Sequence, residues 1–240
     1  MLQHERQNEI LSILKNQPSA TVEEIAAKIF VSPSTARRDI IALEEKGYVT
    51  RLYGGIMLAE YKNGAVPVSL RESSFSAAKE AVAKLAAKEI SHGAVVFADG
   101  SSTVRRVFRY VEADGVTVIT NNQRLFEEYG NKKNLTLYAT GGRYDLRNHI
   151  FLGDMAARAI RDYHADVCLF SSQGITEAGV FDVSEEETAL RRLMLEHADR
   201  RIFLCDSSKI GITKTHRLCT LTEIDQIICD TPLPFAAQTE

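Results

Sequence analysis

The sequence predicts an α/β protein made of two domains, and three observations support this prediction. Three short helical patterns and two β-prone runs around a pair of glycines occupy residues 1–58, which is the order of elements in a winged helix-turn-helix. From residue 76 onward, six short apolar runs alternate with helical patterns, as in a mostly parallel sheet with helices on both faces. The residues between them lose periodicity and contain Gly64 and Pro67. We therefore expect a small N-terminal domain (1–58), a linker (59–75) and an α/β domain (76–240).

The composition is that of an ordinary globular protein, with 45% hydrophobic and 25% charged residues among 240. No stretch approaches the roughly 18 apolar residues of a membrane helix, and the charged N-terminus lacks a signal-peptide pattern. We therefore expect a cytoplasmic protein with no membrane partner. The net charge of −3 shows no basic excess, so any DNA binding has to be local. Four cysteines without CxxC spacing and six scattered histidines predict reduced thiols and no metal site.

The first two helices have clear signals at their ends. Apolar residues between Ile10 and Leu14 define the buried face of the first helix, and Pro18 ends it. Thr21 is a suitable N-cap for the second helix, because Glu24 stands three residues later and completes a capping box. The inner face of this helix consists of Ile25, Ala26 and Ile29.

The third helix begins and ends at equally recognisable residues. Ser32 followed by Pro33 is an N-cap and first-position pair, and Gly47 supplies the stop. A buried stripe with the spacing i, i+4, i+7 consists of Ala36, Ile40 and Leu43. In a helix-turn-helix this third helix is the one that reads DNA.

Candidate DNA contacts lie on the outward face of this helix and on the hairpin, whose strands (48–52 and 56–58) are predicted around Gly54-Gly55. Arginines near the start of a recognition helix bond guanine edges, and hydroxyls and N-terminal amides hold phosphate. These candidates are Ser32, Ser34, Thr35, Arg37 and Arg38 on the helix and Arg51 on the hairpin. The alternative for the two helix arginines is pairing on a solvated face with Asp39, Glu44 and Glu45.

Polar residues follow five of the predicted strands of the second domain, where a parallel sheet binds its ligands. Hydroxyls and amides of residues 99–103 converge at a helix start, which favours phosphate. The other clusters are Asn121-Asn122, Gly141-Gly142-Arg143, Gln173-Gly174-Ile175 and Asp206-Ser207-Ser208-Lys209. Each has a structural alternative when taken alone: Asp99 and Asp206 as helix caps, Asn121 and the paired glycines as turn residues. Their combination favours a binding site.

The order of motifs in the first domain is specific. The chain reads ERQNEILSIL at 5–14, VEEIA at 22–26, FVSPSTARRDIIALEEKG at 30–47 and RLYGG at 51–55, and in this it resembles the DeoR family of bacterial transcriptional regulators. The resemblance implies a DNA-binding repressor of a carbohydrate or related catabolic operon, released from its operator by a phosphorylated sugar or similar metabolite. Two departures concern packing or phosphate contact: Ala36 replaces a common isoleucine, and Tyr53 a common histidine.

The resemblance continues through FADGSST, ITNN, TGGRYDLRNHIFLG, SSQGIT and DSSKIG. The family's sensor domain is similar in fold to ribose-5-phosphate isomerase and the coenzyme A transferases. The resemblance implies phosphate contacts from Ser101, Ser102 and Thr103, and polar contacts from Asp99, Asn121, Gly142, Arg143, Lys209 and Glu185. For Glu185 the alternative is a surface acid at a helix start. Many members read D-x-G-T-T, whereas Gly100 here follows Asp99 directly, which leaves open which amides face the ligand.

Charge in the first domain predicts an oligomer. Seven basic residues balance seven acidic ones in residues 1–58, so a single domain has little non-specific attraction for DNA. Two linked heads gain roughly 10²- to 10⁴-fold in avidity when the geometry permits. We therefore expect a homo-oligomer formed through the larger domain.

Two other functions remain open from the sequence. One is an isomerase-like enzyme with Asp99 or Glu185 as the base and Lys209 as electrostatic stabiliser. The same geometry binds a sugar phosphate without turnover, and an enzyme has little use for a winged helix. The other is a winged helix used only for protein contacts, against which the outward Arg37 and Arg38 argue. We expect no enzymatic activity and no cofactor, with operator DNA and a phosphorylated effector as partners.

Overall fold

A computed structural model describes residues 2–17, 19–52, 55–58, 75–146 and 148–235. The chain divides into two compact units, residues 1–74 and 75–240, which are described separately below. Except for Phe75, the linker predicted for 59–75 lies outside the described residues, as do Tyr53 and Gly54 at the predicted hairpin tip.

The first unit is a three-helix winged fold. A short strand at residues 19–20, which sequence periodicity did not predict, joins the hairpin in an antiparallel sheet of order β1-β3-β2. Two residues are too few to show an alternating pattern. The elements are α1 (Gln3–Asn16), β1 (Ser19–Ala20), α2 (Val22–Lys28), α3 (Pro33–Glu45), β2 (Val49–Leu52) and β3 (Gly55–Leu58).

Local signals set the helix ends of this unit. Thr21 Oγ1 accepts from the Glu24 amide at 3.1 Å, and the Glu24 carboxylate accepts from the Thr21 amide at 2.9 Å, which is the predicted capping box. Ser32 Oγ accepts from the Thr35 amide at 3.2 Å at the start of α3. Gly47 adopts φ +74° just beyond the end of α3. The predicted stripe of Ala36, Ile40 and Leu43 is buried in the core of the unit.

The second unit is built on a parallel sheet of six strands in the order β14-β12-β9-β4-β5-β6. All six apolar runs predicted as strands lie in it. Helices cover both faces, and an apolar core fills each side. The sheet strands are β4 (Val95–Ala98), β5 (Val116–Thr120), β6 (Leu135–Ala139), β9 (Ala165–Phe170), β12 (Ala198–Cys205) and β14 (Gln226–Cys229).

The remaining elements surround this sheet. The helices are α4 (Ser76–Ala86), α5 (Ser102–Tyr110), α6 (Gln123–Tyr129), α7 (Asp154–Arg161) and α8 (Glu185–Glu196). A two-stranded hairpin is formed by β7 (Arg143–Asp145) and β8 (Ile150–Leu152), and a three-stranded antiparallel sheet by β10 (Gly174–Thr176), β11 (Gly179–Asp182) and β13 (His216–Cys219). Across the described ranges, the helices are all too short or too polar to cross a lipid bilayer.

Candidate DNA-binding surface and effector site

The start of α3 presents a cluster of hydroxyls. Ser32 Oγ lies 2.9 Å from Ser34 Oγ and 2.9 Å from Thr35 Oγ1. Ser32 and Ser34 are exposed, and Thr35 is half-buried. The cluster surrounds the positive end of the helix dipole, so hydroxyls and amides together favour a phosphate group there.

Arg37 and Arg38 are exposed on α3, and neither forms an ion pair with another described residue. Two of the acids proposed as their alternative partners, Asp39 and Glu44, are held by other arginines. Asp39 is only 1% exposed and holds Arg6 of α1 through contacts of 2.6 and 3.2 Å. The side-chain hydrogen bond to Asp39 raises the pKa of Arg6. The two exposed guanidinium groups therefore remain available to an external anion or a base edge.

Arg51 lies on β2, and its guanidinium is held by an acid of α3. Arg51 Nε lies 2.5 Å from Glu44 Oε2, and the Arg51 amide donates to the same carboxylate at 3.2 Å. The Arg51 side chain is 50% exposed. Contact with DNA through Arg51 therefore requires it to share or leave Glu44, which makes it a weaker candidate than the two helix arginines.

In the second unit, Asp99 lies at the carboxyl end of β4 and is fully engaged by protein donors. Its Oδ1 accepts from the Ser101 amide at 2.9 Å. Its Oδ2 accepts from the Ser171 amide at 3.0 Å and from Arg191 Nε at 2.7 Å. The sequence left open which way the Gly100-Ser101 loop faces. The Ser101 amide turns back onto Asp99 and so does not face outward.

Arg191 is the central cation of this edge, and sequence reasoning missed it. It is 6% exposed, donates to Asp182 Oδ2 at 3.0 Å, and lies 3.7 Å from Glu187 Oε2. Burial would lower the pKa of Arg191, but the carboxylates of Asp99, Asp182 and Glu187 raise it above its ordinary value. The sequence does contain an indication that Arg191 is buried, because it falls in an otherwise apolar stripe of α8 with Leu190 and Met194.

The first turn of α5 carries the three hydroxyls predicted to contact phosphate. Ser101 caps the helix by accepting from the Val104 amide at 3.2 Å. Ser102 and Thr103 are 5% and 1% exposed. Gly100 has to be glycine here, because a Cβ would lie 2.5 Å from Ile150 Cγ2. The first turn thus carries three neighbouring hydroxyl groups on buried residues, and that of Ser101 caps the helix.

Asn121, after β5, faces a small cavity with its side-chain amide. Its Nδ2 donates to the Phe151 carbonyl at 3.2 Å, which fixes the orientation of the amide. Its Oδ1 is buried without a hydrogen-bond partner in the described part of the chain. Such a group is costly unless a donor is supplied from outside. The residues lining the cavity are Asp99, Gly100, Asn121, Glu187, Leu190, Arg191 and Met194.

Lys209 lies in a short helical turn after β12 and is tied to the same edge. Its Nζ donates to Ser171 Oγ at 2.7 Å and lies 3.5 Å from Asp206 Oδ2. Ser171 in turn donates its amide to Asp99, so Lys209 and Asp99 share one neighbour. Burial would raise the pKa of Asp206, but Lys209 and the Ser208 hydroxyl lower it below its ordinary value.

Of the nine predicted ligand residues, Asp99 and Asn121 line this cavity and the other seven do not. Arg143 is exposed on β7, with its Nη2 2.5 Å from Glu186 Oε2. Gly142, at φ +110°, packs so closely that a Cβ would lie 2.5 Å from the Leu152 carbonyl, so a packing role explains the glycine. Glu185 is exposed in the first turn of α8, as its structural alternative requires, while Glu187 two residues later faces the cavity.

Comparison with known families decides the identity of the chain. The family model described as "DeoR-like helix-turn-helix domain" matches residues 6–62, and the one described as "DeoR C terminal sensor domain" matches residues 74–231. The chain belongs to the DeoR family. It is a DNA-binding transcriptional regulator rather than an enzyme, as the sequence predicted.

Similar DeoR-family proteins span nearly the whole chain. The HTH-type transcriptional repressor GlcR of Bacillus subtilis is 34% identical over 230 residues, which cover 96% of this chain and 89% of that protein. The lactose phosphotransferase system repressor of Staphylococcus epidermidis is 28% identical over 233 residues, covering 96% and 93%. Among solved structures, eIF2B delta from Chaetomium thermophilum has a TM-score of 0.50 at 12% identity, covering 68% and 59%. That likeness concerns the fold alone.

Metal-binding groups are not assembled in the described residues of this DeoR-family regulator. No cluster of three or more His, Cys, Asp or Glu side chains there is placed to hold a metal ion. All four cysteines are free thiols, and burial raises the pKa of Cys219 to about 12. A thiol with so high a pKa is a poor nucleophile and a poor metal ligand at neutral pH.

Proposed function

We propose that this DeoR-family regulator represses a carbohydrate catabolic operon and is released from its operator by a phosphorylated sugar. The observation that carries this proposal is the juxtaposition of two kinds of polar group at the carboxyl edge of the sheet. The first turn of α5 offers donors in the hydroxyls of Ser102 and Thr103, two residues that are almost wholly buried. The cavity beside it offers an acceptor in Asn121 Oδ1, which lacks a donor among the described residues.

These two kinds of group match the two ends of a sugar phosphate. A phosphate carries only acceptors at neutral pH, and the helix start with the nearby Lys209 ammonium supplies charge-assisted donors. Sugar hydroxyls are donors as well as acceptors, so they suit Asn121 Oδ1 and the Glu187 carboxylate. The carboxylates around Arg191 make the cavity itself unfavourable for a second anion. The name of the lactose phosphotransferase system repressor agrees with an effector derived from a sugar.

For the DNA side, we infer that the start of α3 enters the major groove. The exposed guanidinium groups of Arg37 and Arg38 would contact base edges, and the hydroxyls of Ser32, Ser34 and Thr35 would hold a phosphate. Arg51 is the secondary backbone contact. Release by the effector requires only that the sugar phosphate bind more tightly to the conformation with low operator affinity.

Titration calorimetry with a panel of pentoses and hexoses and their phosphate esters tests the effector class. We expect binding of at least one ester and no binding of its free sugar. Lys209→Ala should weaken the ester by about one to two orders of magnitude, because one charge-assisted contact is lost. It should leave operator binding intact, and Lys214→Ala is the control for a cation outside the site. Tight binding of a free sugar with no preference for its phosphate would refute the proposal.

A further inference from the structure

The outer side of β6 is an open sheet edge. The six-stranded sheet ends at β6, and no other described strand pairs with that side. The Thr140 amide donates inward to the Thr120 carbonyl at 3.0 Å. Because inward and outward amides alternate along a parallel strand, the amides of Leu137 and Ala139 point away from the sheet.

This edge lacks the features that normally prevent a free sheet edge from pairing with another strand. Its sequence, LTLYA, has no charged residue and no proline, and its register with β5 runs without a bulge. Soluble proteins usually protect a free edge with one of these features, because unpaired amides and carbonyls attract another strand. The opposite edge, β14, is flanked by Asp225 and Asp230. The β6 edge therefore has the character of a surface that another strand covers.

Exposed apolar side chains concentrate around the same edge. Six large apolar side chains are exposed in the described part of this unit. All but Leu85 lie on β6, on the β7–β8 hairpin or at α7. Tyr138 and Tyr163 are 46% and 38% exposed, with ring centroids 6.1 Å apart. Clustered aromatic surface is typical of a protein interface, and here it borders an unpaired strand.

We propose that β6 pairs antiparallel with β6 of a second copy of this chain across a two-fold axis, with Tyr138 and Tyr163 packing at the seam. A strand paired with itself places each charged side chain near its own copy, and β6 has no charge to repel. The DNA-binding unit supplies a reason for a second copy, because its balanced charge leaves a single head weakly attracted to DNA. The pairing joins both parallel sheets into one and links two heads.

Two variants of the full-length chain test the pairing by sedimentation equilibrium. Ala139→Pro removes one outward amide and no inward hydrogen bond, and Ala139→Ser keeps that amide as the matched control. Tyr138→Lys places a charge at the seam, and Leu85→Lys adds the same charge at the exposed apolar residue away from it. We expect the dimer dissociation constant to rise at least about tenfold in Ala139→Pro and Tyr138→Lys and to stay unchanged in both controls.

Three results would overturn the proposal. The first is a wild-type chain that stays monomeric while its Leu137 and Ala139 amides exchange slowly, since the chain itself would then cover the edge. The second is a wild-type monomer whose two amides exchange fast, which would leave the edge simply open. The third is equal self-association of Tyr138→Lys and Leu85→Lys with both variants folded by circular dichroism. If Ala139→Pro unfolds, the comparison of Tyr138→Lys with Leu85→Lys alone tests the pairing.

Discussion

The substitution Arg191→Met tests how much the buried ion pairs of Arg191 stabilise the second unit. Methionine keeps most of the side-chain length but removes the cation that Asp99, Asp182 and Glu187 surround. Asp99 Oδ2 loses a donor at 2.7 Å and Asp182 Oδ2 one at 3.0 Å, and both carboxylates stay buried. Removing one partner of a buried ion pair typically destabilises a protein by about 3–5 kcal/mol.

Urea unfolding followed by circular dichroism measures this loss. With an m-value of about 2 kcal/mol/M, 3–5 kcal/mol lowers the midpoint of the second unit by roughly 1.5–2.5 M. Arg143→Met is the matched control, because Arg143 also pairs with a glutamate but is 62% exposed. That exposed pair contributes about 0–1 kcal/mol. An Arg191→Met midpoint within about 0.5 M of the wild type would refute the view that Arg191 holds this edge together.

Three further predictions concern the DNA-binding unit and the division of the chain. Arg38→Ala should weaken operator binding by about 1–3 kcal/mol per head in a gel-shift titration, whereas Lys28→Ala should not; equal shifts would exclude α3 as the reading helix. Residues 76–240 alone should self-associate and bind the effector, and residues 1–58 alone should bind operator poorly; tight operator binding by 1–58 would contradict this. Phe30→Gly should stabilise the first unit by about 1 kcal/mol, because Phe30 is 92% exposed at φ +55°, a conformation that favours glycine. Phe30→Ala keeps that strain and should leave the thermal midpoint nearly unchanged, so a rise as large as that of Phe30→Gly would point to another cause.

The sequence predicted what depends on neighbours along the chain. The Thr21–Glu24 capping box spans four residues, and each apolar run of the sheet is long enough to stand out from its flanking helices. Short strands such as β1 and β10 are too brief to show periodicity. They form because another segment supplies their hydrogen bonds.

The part of the candidate effector site that could be predicted also depends on neighbours along the chain. Asp99 and Asn121 directly follow strands and Ser101 comes two residues after Asp99, so a parallel sheet places all three at one edge. Arg191 is 92 residues from Asp99 along the chain, and no local sequence pattern predicts that these two residues form an ion pair. Which acid of the first turn of α8 faces the cavity depends on the rotation of the helix, which the packing of Leu190 and Met194 fixes. The cavity is lined by Glu187 and not by the predicted Glu185, and whether either contacts the effector stays a prediction.

The ion pair between Arg6 and Asp39 constrains how a signal can act on DNA. Asp39 is almost wholly inaccessible, and its two contacts fasten the reading helix to the helix that opens the chain. Reorienting α3 relative to α1 would leave the Asp39 carboxylate buried without Arg6, and an unpaired buried charge costs several kcal/mol. We therefore expect α1 and α3 to keep their relative orientation when the proposed effector releases the operator. The proposed induction would then leave unchanged the set of side chains that α3 presents to the groove.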